Sequence, residues 1–266
     1  DSVQSVQDKI TNATVTAGDL ANLSSNLLDL NGKTATANLG AGFAMAMPSE
    51  TFAWAIHAHS YADVHFIAQI DPADAARIIT AVANNQLDSL SSEIRVIGVN
   101  ITEFGVSMAT TFDVGTMRLA VGVTPKFQRI DTINYSANVS AFDDNEFDSD
   151  QYTNDETAVN ANIGATLQVT DALTMGLMIR DVISNDYLTT SDLGQQFTYQ
   201  IKPLATLGAA WSNDILTLAI DADLTEAERF KDSNLKFGTP VDDNSRFIRA
   251  GFEISAGSWV QLRGGI

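Results

Sequence analysis

Three histidines and one aspartate lie on a single stretch of the chain, with a spacing that places them on one side of a β-strand. His57, His59, Asp63 and His65 are separated by even numbers of residues and include every histidine of the protein. Imidazole and carboxylate are ligands that transition metals accept. Residues two positions apart on one flat strand are separated by about 6.5–7 Å, too far to share one ion unless other strands contribute. We therefore expect no metal site and interpret these side chains as part of a polar interior.

The densest cluster of carboxylates runs from Asp143 to Glu156, where DDNEFDSDQYTNDE holds seven acidic side chains in fourteen residues. The segment lacks the glycine at position six and the glutamate at position twelve of an EF-hand calcium loop. We interpret it as a solvated loop, with a loose divalent-cation site near lipopolysaccharide as the alternative.

Catalytic motifs are missing from the sequence, which contains no GxSxG, HExxH or P-loop pattern. Each of these patterns places a nucleophile, a metal or a phosphate group at a defined turn or helix. We therefore expect no catalytic residues, no cofactor and no enzyme activity.

Composition excludes several classes of protein. The 266 residues include 33 acidic and 15 basic side chains, a formal net charge of −18, and no cysteine. So acidic a chain does not suit nucleic-acid binding, which depends on a basic surface, and we expect no nucleic-acid partner. Disulfides, thiolate metal sites and cysteine nucleophiles are excluded. Mean hydropathy is +0.01, yet no stretch approaches the 18 or so apolar residues of a transmembrane helix.

Apolar and polar residues alternate along most of the chain. In VNANIGATLQV, Val159 to Val169, apolar side chains occupy every second position, and Met117 to Phe127 repeats the pattern. A period of two is typical of β-strands with one apolar face. Ten such segments begin near Thr34, Phe52, Ile101, Met117, Val159, Leu173, Phe197, Ile215, Arg246 and Trp259.

The connections between these segments alternate strictly between short and long. The short ones are Pro48–Glu50, Val114–Thr116, Thr170–Ala172, Ser212–Asp214 and Ala256–Ser258, and the long ones are Ala68–Asn100, Arg129–Ala158, Asp181–Gln196 and Thr225–Ser245. This rhythm is typical of bacterial outer-membrane barrels, with tight periplasmic turns and long outer loops. The crossings of a soluble sandwich mix the two lengths. We predict an all-β fold, a transmembrane antiparallel up-and-down β-barrel with ten visible strands, and keep a soluble all-β protein as the alternative.

The three tryptophans support the same architecture. Trp54, Trp211 and Trp259 each lie within a few residues of a short connection. Indole rings concentrate at headgroup depth, so we expect the three to share one interfacial belt.

Two segments have helical rather than strand periodicity. Residues 1–33 form a predicted N-terminal helical segment, with Val3, Val6 and Ile10 on one face and Asp19 as its possible N-cap. Residues 34–266 form the predicted barrel, whose first long loop holds a helical insert at 71–94 that starts with Asp71–Pro72. Either helix could cover an opening or pack inside the lumen.

Scarce charged residues fall on the strand face opposite the apolar one. A charge facing lipid at mid-membrane costs roughly 2–4 kcal/mol, which favours placing such residues inward. We interpret them as a network that holds a polar interior together, with a selectivity filter as the alternative. The predicted lumen-lining residues are His57, His59, Glu103, Arg118, Lys126, Arg180, Lys202, Asp221, Asp223, Arg249, Glu253 and Arg263.

Several motifs resemble those of one known family. They are NGKTATANLGAGFAMAMPSETFAWAIHAHSYADV (Asn31–Val64), VNITEFGVSMATTF (Val99–Phe112), VGVTPKFQRIDTINY (Val121–Tyr135), FDSDQY (Phe147–Tyr152) and LTLAIDADLTEAERF (Leu216–Phe230). With these motifs the chain resembles the plasmid-transfer TraF-type outer-membrane proteins and, more distantly, the FadL-type channels for hydrophobic compounds. The resemblance implies a monomeric barrel of about fourteen strands with a lumenal N-terminal segment. The sequence shows ten strands, fewer than the fourteen or so that the resemblance implies, so we expect a barrel that is incomplete at both ends.

Two functions follow as expectations. The first is a passive FadL-like channel for small or hydrophobic solutes in the outer membrane of a Gram-negative bacterium, in contact with membrane lipid and lipopolysaccharide. The second is a structural or assembly factor of a conjugation, pilus or envelope complex, with other envelope proteins as partners. The resemblance suggests both, and an analogy of fold does not decide between them.

Overall fold

The computed structural model describes residues 9, 14, 16–49, 52–83, 90–138, 149–231, 244–256 and 260–266. These residues form two helices and thirteen strands. The helices are α1 (Ala17–Leu30) and α2 (Pro72–Ala83), and the strands are β1 (Thr34–Met47), β2 (Phe52–Gln69), β3 (Glu93–Val114), β4 (Met117–Asn138), β5 (Thr153–Gln168), β6 (Leu173–Arg180), β7 (Asn185–Leu188), β8 (Thr198–Ile201), β9 (Leu204–Ser212), β10 (Leu216–Asp223), β11 (Phe230–Lys231), β12 (Ile248–Ala256) and β13 (Val260–Gly265).

Ten of these strands form one antiparallel sheet in the order β1-β2-β3-β4-β5-β6-β9-β10-β12-β13. Every neighbour is also the next sheet strand along the chain, so the topology is up-and-down. The sheet curls into a half-barrel. The predicted all-β class, strand count and antiparallel order are confirmed, and short and long connections alternate as expected.

The sequence prediction is wrong about the seventh strand. The alternation places its start at Phe197, but Thr198–Ile201 forms β8 in a separate three-stranded sheet of order β11-β8-β7, and the seventh strand of the large sheet begins at Leu204. The alternate side chains Phe197, Tyr199 and Ile201 are buried in the protein core instead of on an outer surface. Packing against a second layer therefore accounts for the difference.

The third and fifth strands begin earlier than predicted. β3 starts at Glu93 and β5 at Thr153. The last residues of the acidic segment, Thr153–Glu156, are therefore strand, whereas residues 143–148 lie outside the described part of the chain. The carboxylates of Asp155 and Glu156 are compatible with strand geometry because both side chains are exposed.

Alternation separates the large sheet into two faces. We call the face that carries Glu103 and Lys126 the inner face and the opposite one the outer face. Large apolar side chains on the outer face are exposed, with Phe104 at 53%, Phe127 at 50% and Val159 at 67% of their surface. The pleat explains this pattern, because a period of two sends successive side chains to opposite faces.

The hydrophobic core lies on the inner face, at the end of the sheet where the long connections leave it. β2, β3 and β4 are 18, 22 and 22 residues long, and their ends at this side extend beyond the shorter strands. The small sheet packs onto those ends. The core residues of the two sheets are Ile67, Ile97, Val99, Ile101, Ile130, Tyr187, Phe197, Tyr199, Ile201 and Phe230.

The two helices pack against each other. Thr16 is the N-cap of α1 and forms a capping box with Asp19 at the third helical position. The predicted N-cap, Asp19, is therefore wrong by three residues, and Val3, Val6 and Ile10 lie outside the described residues. The Ser24 hydroxyl donates to the Ala75 carbonyl at 2.6 Å and joins α1 to α2. In the described part of the chain, neither helix is long and apolar enough to cross a lipid bilayer.

The helical insert is shorter than predicted. Of the expected range 71–94, residues 72–83 form α2, residues 84–89 lie outside the described part, and Glu93 and Ile94 belong to β3. Asp74 of α2 holds the residues just before β3 in place, because its carboxylate accepts hydrogen bonds from the backbone N–H groups of Ser91 and Ser92, each at 2.6 Å.

Candidate functional site

The inner face of the large sheet lines an open cavity of about 810 Å³. Its lining includes Ser107 on β3 and Arg249 on β12, at opposite ends of seven consecutive strands of the sheet order. Only a curled sheet can bring such distant strands around one space.

Glycines form much of the wall of this cavity. Gly122 pairs with Gly164 across β4 and β5, and Gly176 pairs with Gly208 across β6 and β9. Each of the four lines the cavity. Because glycine has no side chain, the space in front of these positions stays open.

A second cavity of about 370 Å³ lies between the large sheet and the small sheet. Asn162 and Arg180 line both cavities, so the two spaces adjoin at these side chains. The second cavity differs in its charged lining, which consists of Glu103, Lys126, Arg180, Asp181, Lys202, Glu228 and Arg229.

Lys126 is the centre of an ionic cluster in the wall of the second cavity. Its ammonium lies 2.8 Å from Glu103 Oε1 and 2.7 Å from Asp181 Oδ1, and its side chain is only 3% exposed. Gln128 also donates to Glu103 Oε1. Asp181 has a positive φ of 53°, and its N–H donates to Asn162 Oδ1 at 3.0 Å. This backbone bond positions the Asp181 carboxylate toward Lys126.

His57 and His59 approach the same glutamate from the neighbouring strand. His59 Nε2 lies 3.2 Å from Glu103 Oε2, and the two imidazole rings stack with centroids 5.9 Å apart. The strand register explains the contact, because His59 is paired directly with Glu103 and His57 with Gly105. Two histidines on one strand are too far apart to share an ion without a ligand from another strand. In the structure the neighbouring strand provides such a ligand, the Glu103 carboxylate.

A second ionic group lies farther around the sheet. Arg249 donates to Asp221 and to both oxygens of Asp223, the latter at 3.0 and 3.1 Å. Thr206 adds a 2.9 Å hydrogen bond to Asp223. Beyond it, Arg263 donates to Glu253. These pairs cross adjacent strands and form a ladder along the inner face.

The structure places all the predicted lumen-lining residues on the inner face except Lys202. Lys202 lies between β8 and β9, outside the strands of the large sheet, and lines the second cavity, where its ammonium is 2.6 Å from Glu228. This ion pair lowers the pKa of the Glu228 carboxyl. Arg118 is on the inner face but near a short turn, 3.8 Å from Asp113 and 65% exposed. Whether the inner-face residues line an open lumen remains a prediction.

Sequence reasoning missed the groups that tie the small sheet to the large one. Arg229 lies 2.8 Å from Asp63, although the two are 166 positions apart in the sequence. The Tyr61 and Tyr199 hydroxyls are 3.3 Å apart. Burial, followed by the neighbouring Tyr61, raises the pKa of Tyr199 well above its usual value, and burial raises that of Tyr187 to about 12. No short-range sequence signal identifies such contacts.

The sequence model of one protein family matches residues 1–223; its description is "F plasmid transfer operon, TraF, protein". The chain belongs to this family. The resemblance seen in the sequence is thereby confirmed. A comparison of the sequence with curated proteins finds no match.

Three solved structures are similar to this chain, each with low sequence identity and a low TM-score. They are the ferric-catecholate import receptor Fiu from E. coli K12 (12% identity, TM-score 0.42, 87% of this chain and 40% of that one), the Ralstonia pickettii toluene transporter TbuX (10%, 0.41, 86% and 61%) and BauA, the ferric preacinetobactin receptor from Acinetobacter baumannii (13%, 0.29, 87% and 44%). This member of the TraF family thus spans less than two thirds of the length of each of them.

Proposed function

We propose that this protein is a non-enzymatic outer-membrane β-barrel protein of a Gram-negative bacterium and a passive FadL-like channel for small or hydrophobic solutes. The observation that carries the proposal is a sheet with two opposed surfaces. Its outer face is apolar and exposed, and its inner face lines an open cavity of about 810 Å³ with glycines in the wall.

The outer face has the dimensions of a membrane-facing band. On β3 the outward side chains Phe104, Met108 and Phe112 are 53%, 36% and 51% exposed. A tilted membrane-spanning strand needs about 9–11 residues, which the stretch from Phe104 to Val114 supplies. Such a surface favours contact with lipid acyl chains.

Polar side chains mark where this band ends toward the long connections. On the outer face beyond Phe104, Ser60 donates to Asn100 at 2.9 Å, and Arg129 donates to Asp131 at 2.9 Å. Trp54 and Trp211 lie on the outer face at the opposite end, 38% and 41% exposed, whereas Trp259 lies outside the described residues. Interfacial indoles on one side and polar pairs on the other support contact with lipid, including lipopolysaccharide.

The cavity suggests how a solute passes. Small wall residues leave room in front of Gly122 and Gly164, and the neighbouring second cavity continues the space toward the long connections. Diffusion along this route needs neither a catalytic group nor a cofactor.

The test is solute flux through the full-length protein in liposomes and planar bilayers. Gly164→Trp places a large side chain in the cavity, because a Cβ at this position has no closer neighbour than 3.6 Å. Val159→Trp is the matched control, since this residue of the same strand faces outward, is 67% exposed and does not line the cavity. We expect Gly164→Trp to reduce conductance and uptake several-fold and Val159→Trp to leave both unchanged. Folded wild-type protein with neither conductance nor uptake would overturn the proposal.

A second candidate is a structural or assembly factor of a conjugation, pilus or envelope complex. The family description, which refers to the transfer operon of the F plasmid, favours it. Affinity capture of the tagged protein from cells that carry the transfer apparatus tests it. Stable recovery of pilus or secretion components would support this role, and recovery of lipid alone would exclude it.

A further inference from the structure

We propose that His57, His59 and Glu103 form a binding site for a divalent transition-metal ion of the Zn²⁺ class. The site lies on the inner face of β2 and β3, at the edge of the second cavity, which His59 and Glu103 line. The proposal does not depend on transport, because it concerns only the ligands that two adjacent strands bring together.

The ligand atoms are already close to one another. One nitrogen from each histidine and one oxygen from Glu103 lie within 4.8 Å of each other, and His59 Nε2 is 3.2 Å from Glu103 Oε2. Tetrahedral zinc with bonds of about 2.0–2.1 Å holds its ligand atoms roughly 3.3 Å apart. The His59–Glu103 pair has that spacing, and rotation of the His57 side chain completes the set.

Glycines on both sides give the two imidazoles their room. A Cβ on Gly105 would lie 2.6 Å from His57 Nε2, so the His57 ring lies directly over this glycine. A Cβ on Gly42 would lie 2.7 Å from the Cβ of His59. Any larger residue at either position would displace a ligand, so the local sequence suits two adjacent rings on one face.

Hydrogen bonds fix the orientation of the carboxylate. Lys126 and Gln128 both donate to Glu103 Oε1, which leaves Oε2 directed at His59. Asp181 balances the ammonium of Lys126 at 2.7 Å, so the charged groups of the cluster sum to one negative charge. Partners of this kind orient a ligand and commonly raise metal affinity.

The donor set determines the class of metal. Two imidazoles and one carboxylate match zinc sites with three protein ligands, where water or a solute occupies the fourth position. Here the fourth position would face the second cavity. Ca²⁺ and Mg²⁺ prefer sites built from oxygen ligands alone.

His65 provides a matched control. It follows the same alternation on β2, but its Nε2 lies 3.3 Å from Asp63, which Arg229 also contacts at 2.8 Å. The guanidinium already neutralises that carboxylate. Replacement of His65 therefore removes a histidine from the same face without touching the proposed ligands.

The experiment is calorimetric titration of the metal-free, full-length protein in detergent with Zn²⁺ alone. We expect saturable binding of one ion, weakened at least tenfold in His57→Gln, His59→Gln and Glu103→Gln and unchanged in His65→Gln. Circular dichroism and the shift of the folded protein on unheated gels confirm that each variant is folded.

Gly105→Ala tests the same site without removing a ligand. Its added methyl group should displace the His57 ring and weaken Zn²⁺ binding as much as His57→Gln. Binding that is absent in the folded wild type, or that falls equally in His65→Gln, would overturn the proposal. A Ca²⁺ titration with equal affinity would also contradict it.

Discussion

The guanidinium of Arg95 donates a 2.7 Å hydrogen bond to the side-chain oxygen of Asn134, and both side chains are completely buried. The amide of Asn134 in turn donates to the carbonyls of Thr190 and Gln195, at 2.8 and 2.9 Å. One asparagine therefore connects the large sheet to the loop between β7 and β8.

Asn134→Ala should consequently lower the free energy of unfolding by about 3 kcal/mol, because two carbonyls and a buried guanidinium lose a partner. Urea titration in detergent measures the change. Asn154→Ala is the control: its amide donates to the Leu188 carbonyl of the same small sheet at 2.8 Å, but in an exposed position. Equal effects of the two variants would contradict the central role of Asn134.

Lys126→Met leaves two carboxylates without their ammonium partner. Glu103 is 7% exposed and Lys126 is 3% exposed, and loss of one partner of a buried pair typically costs about 3–5 kcal/mol. We expect a loss of that size in the free energy of unfolding. A double variant with Glu103→Gln should be less destabilised than the sum of the single variants.

The control for Lys126 is Lys202→Met, which breaks an exposed ion pair with Glu228. The two side chains are 41% and 45% exposed, so solvent screens the pair and stability should barely change. If Lys202→Met destabilised the protein as much as Lys126→Met, burial of the Lys126 cluster would not be the cause.

The sheet was predictable from the sequence because its signal is local. Alternation identifies each strand, and tight turns such as the one at Gly115, with φ of 64°, separate consecutive strands. Together they determine the strand order of an up-and-down sheet. The boundaries of β3 were less predictable, since its first residues pack under the small sheet and are buried on both faces, which hides the alternation.

The candidate sites depend on information that the sequence does not display. Alternation places His59 and Glu103 on the same face, but only the register of β2 against β3 makes them direct partners. Register depends on turn geometry and on packing over the whole strand. The contact between Asp63 and Arg229 depends in addition on how the connection after β10 packs against β2, which is 166 positions away in the sequence.

Asp192 gives stability a defined pH dependence. Burial raises the pKa of its carboxyl, although N–H groups of Ser136 and Leu193 donate to it. An acid whose pKa is higher in the folded state loses stability as pH rises from its unfolded value through its folded value. We therefore expect stability to decrease as pH rises just above the usual range of an aspartate.

Asp192→Asn isolates this contribution because it cannot ionise. Thermal melts across that pH range should show wild type losing roughly 1–3 °C relative to the variant. If the melting temperatures of wild type and Asp192→Asn changed in parallel with pH, the pKa of Asp192 would be the same in the folded and the unfolded state, which would contradict the prediction.

Arg249 donates hydrogen bonds to two carboxylates, Asp221 and Asp223, and together with Asp221 it lines the larger cavity. Arg249→Ala leaves Asp221 and Asp223 without this partner, so the local potential becomes more negative and, in the proposed channel, should favour cations. We expect the reversal potential under a KCl gradient to shift toward that of potassium. Arg118→Ala is the control, because Arg118 lies on the same face near a short turn and lines neither of the two cavities. A shift of equal size in Arg118→Ala would place the selective step outside the cavity, and no shift in Arg249→Ala would show that ions do not pass this ladder.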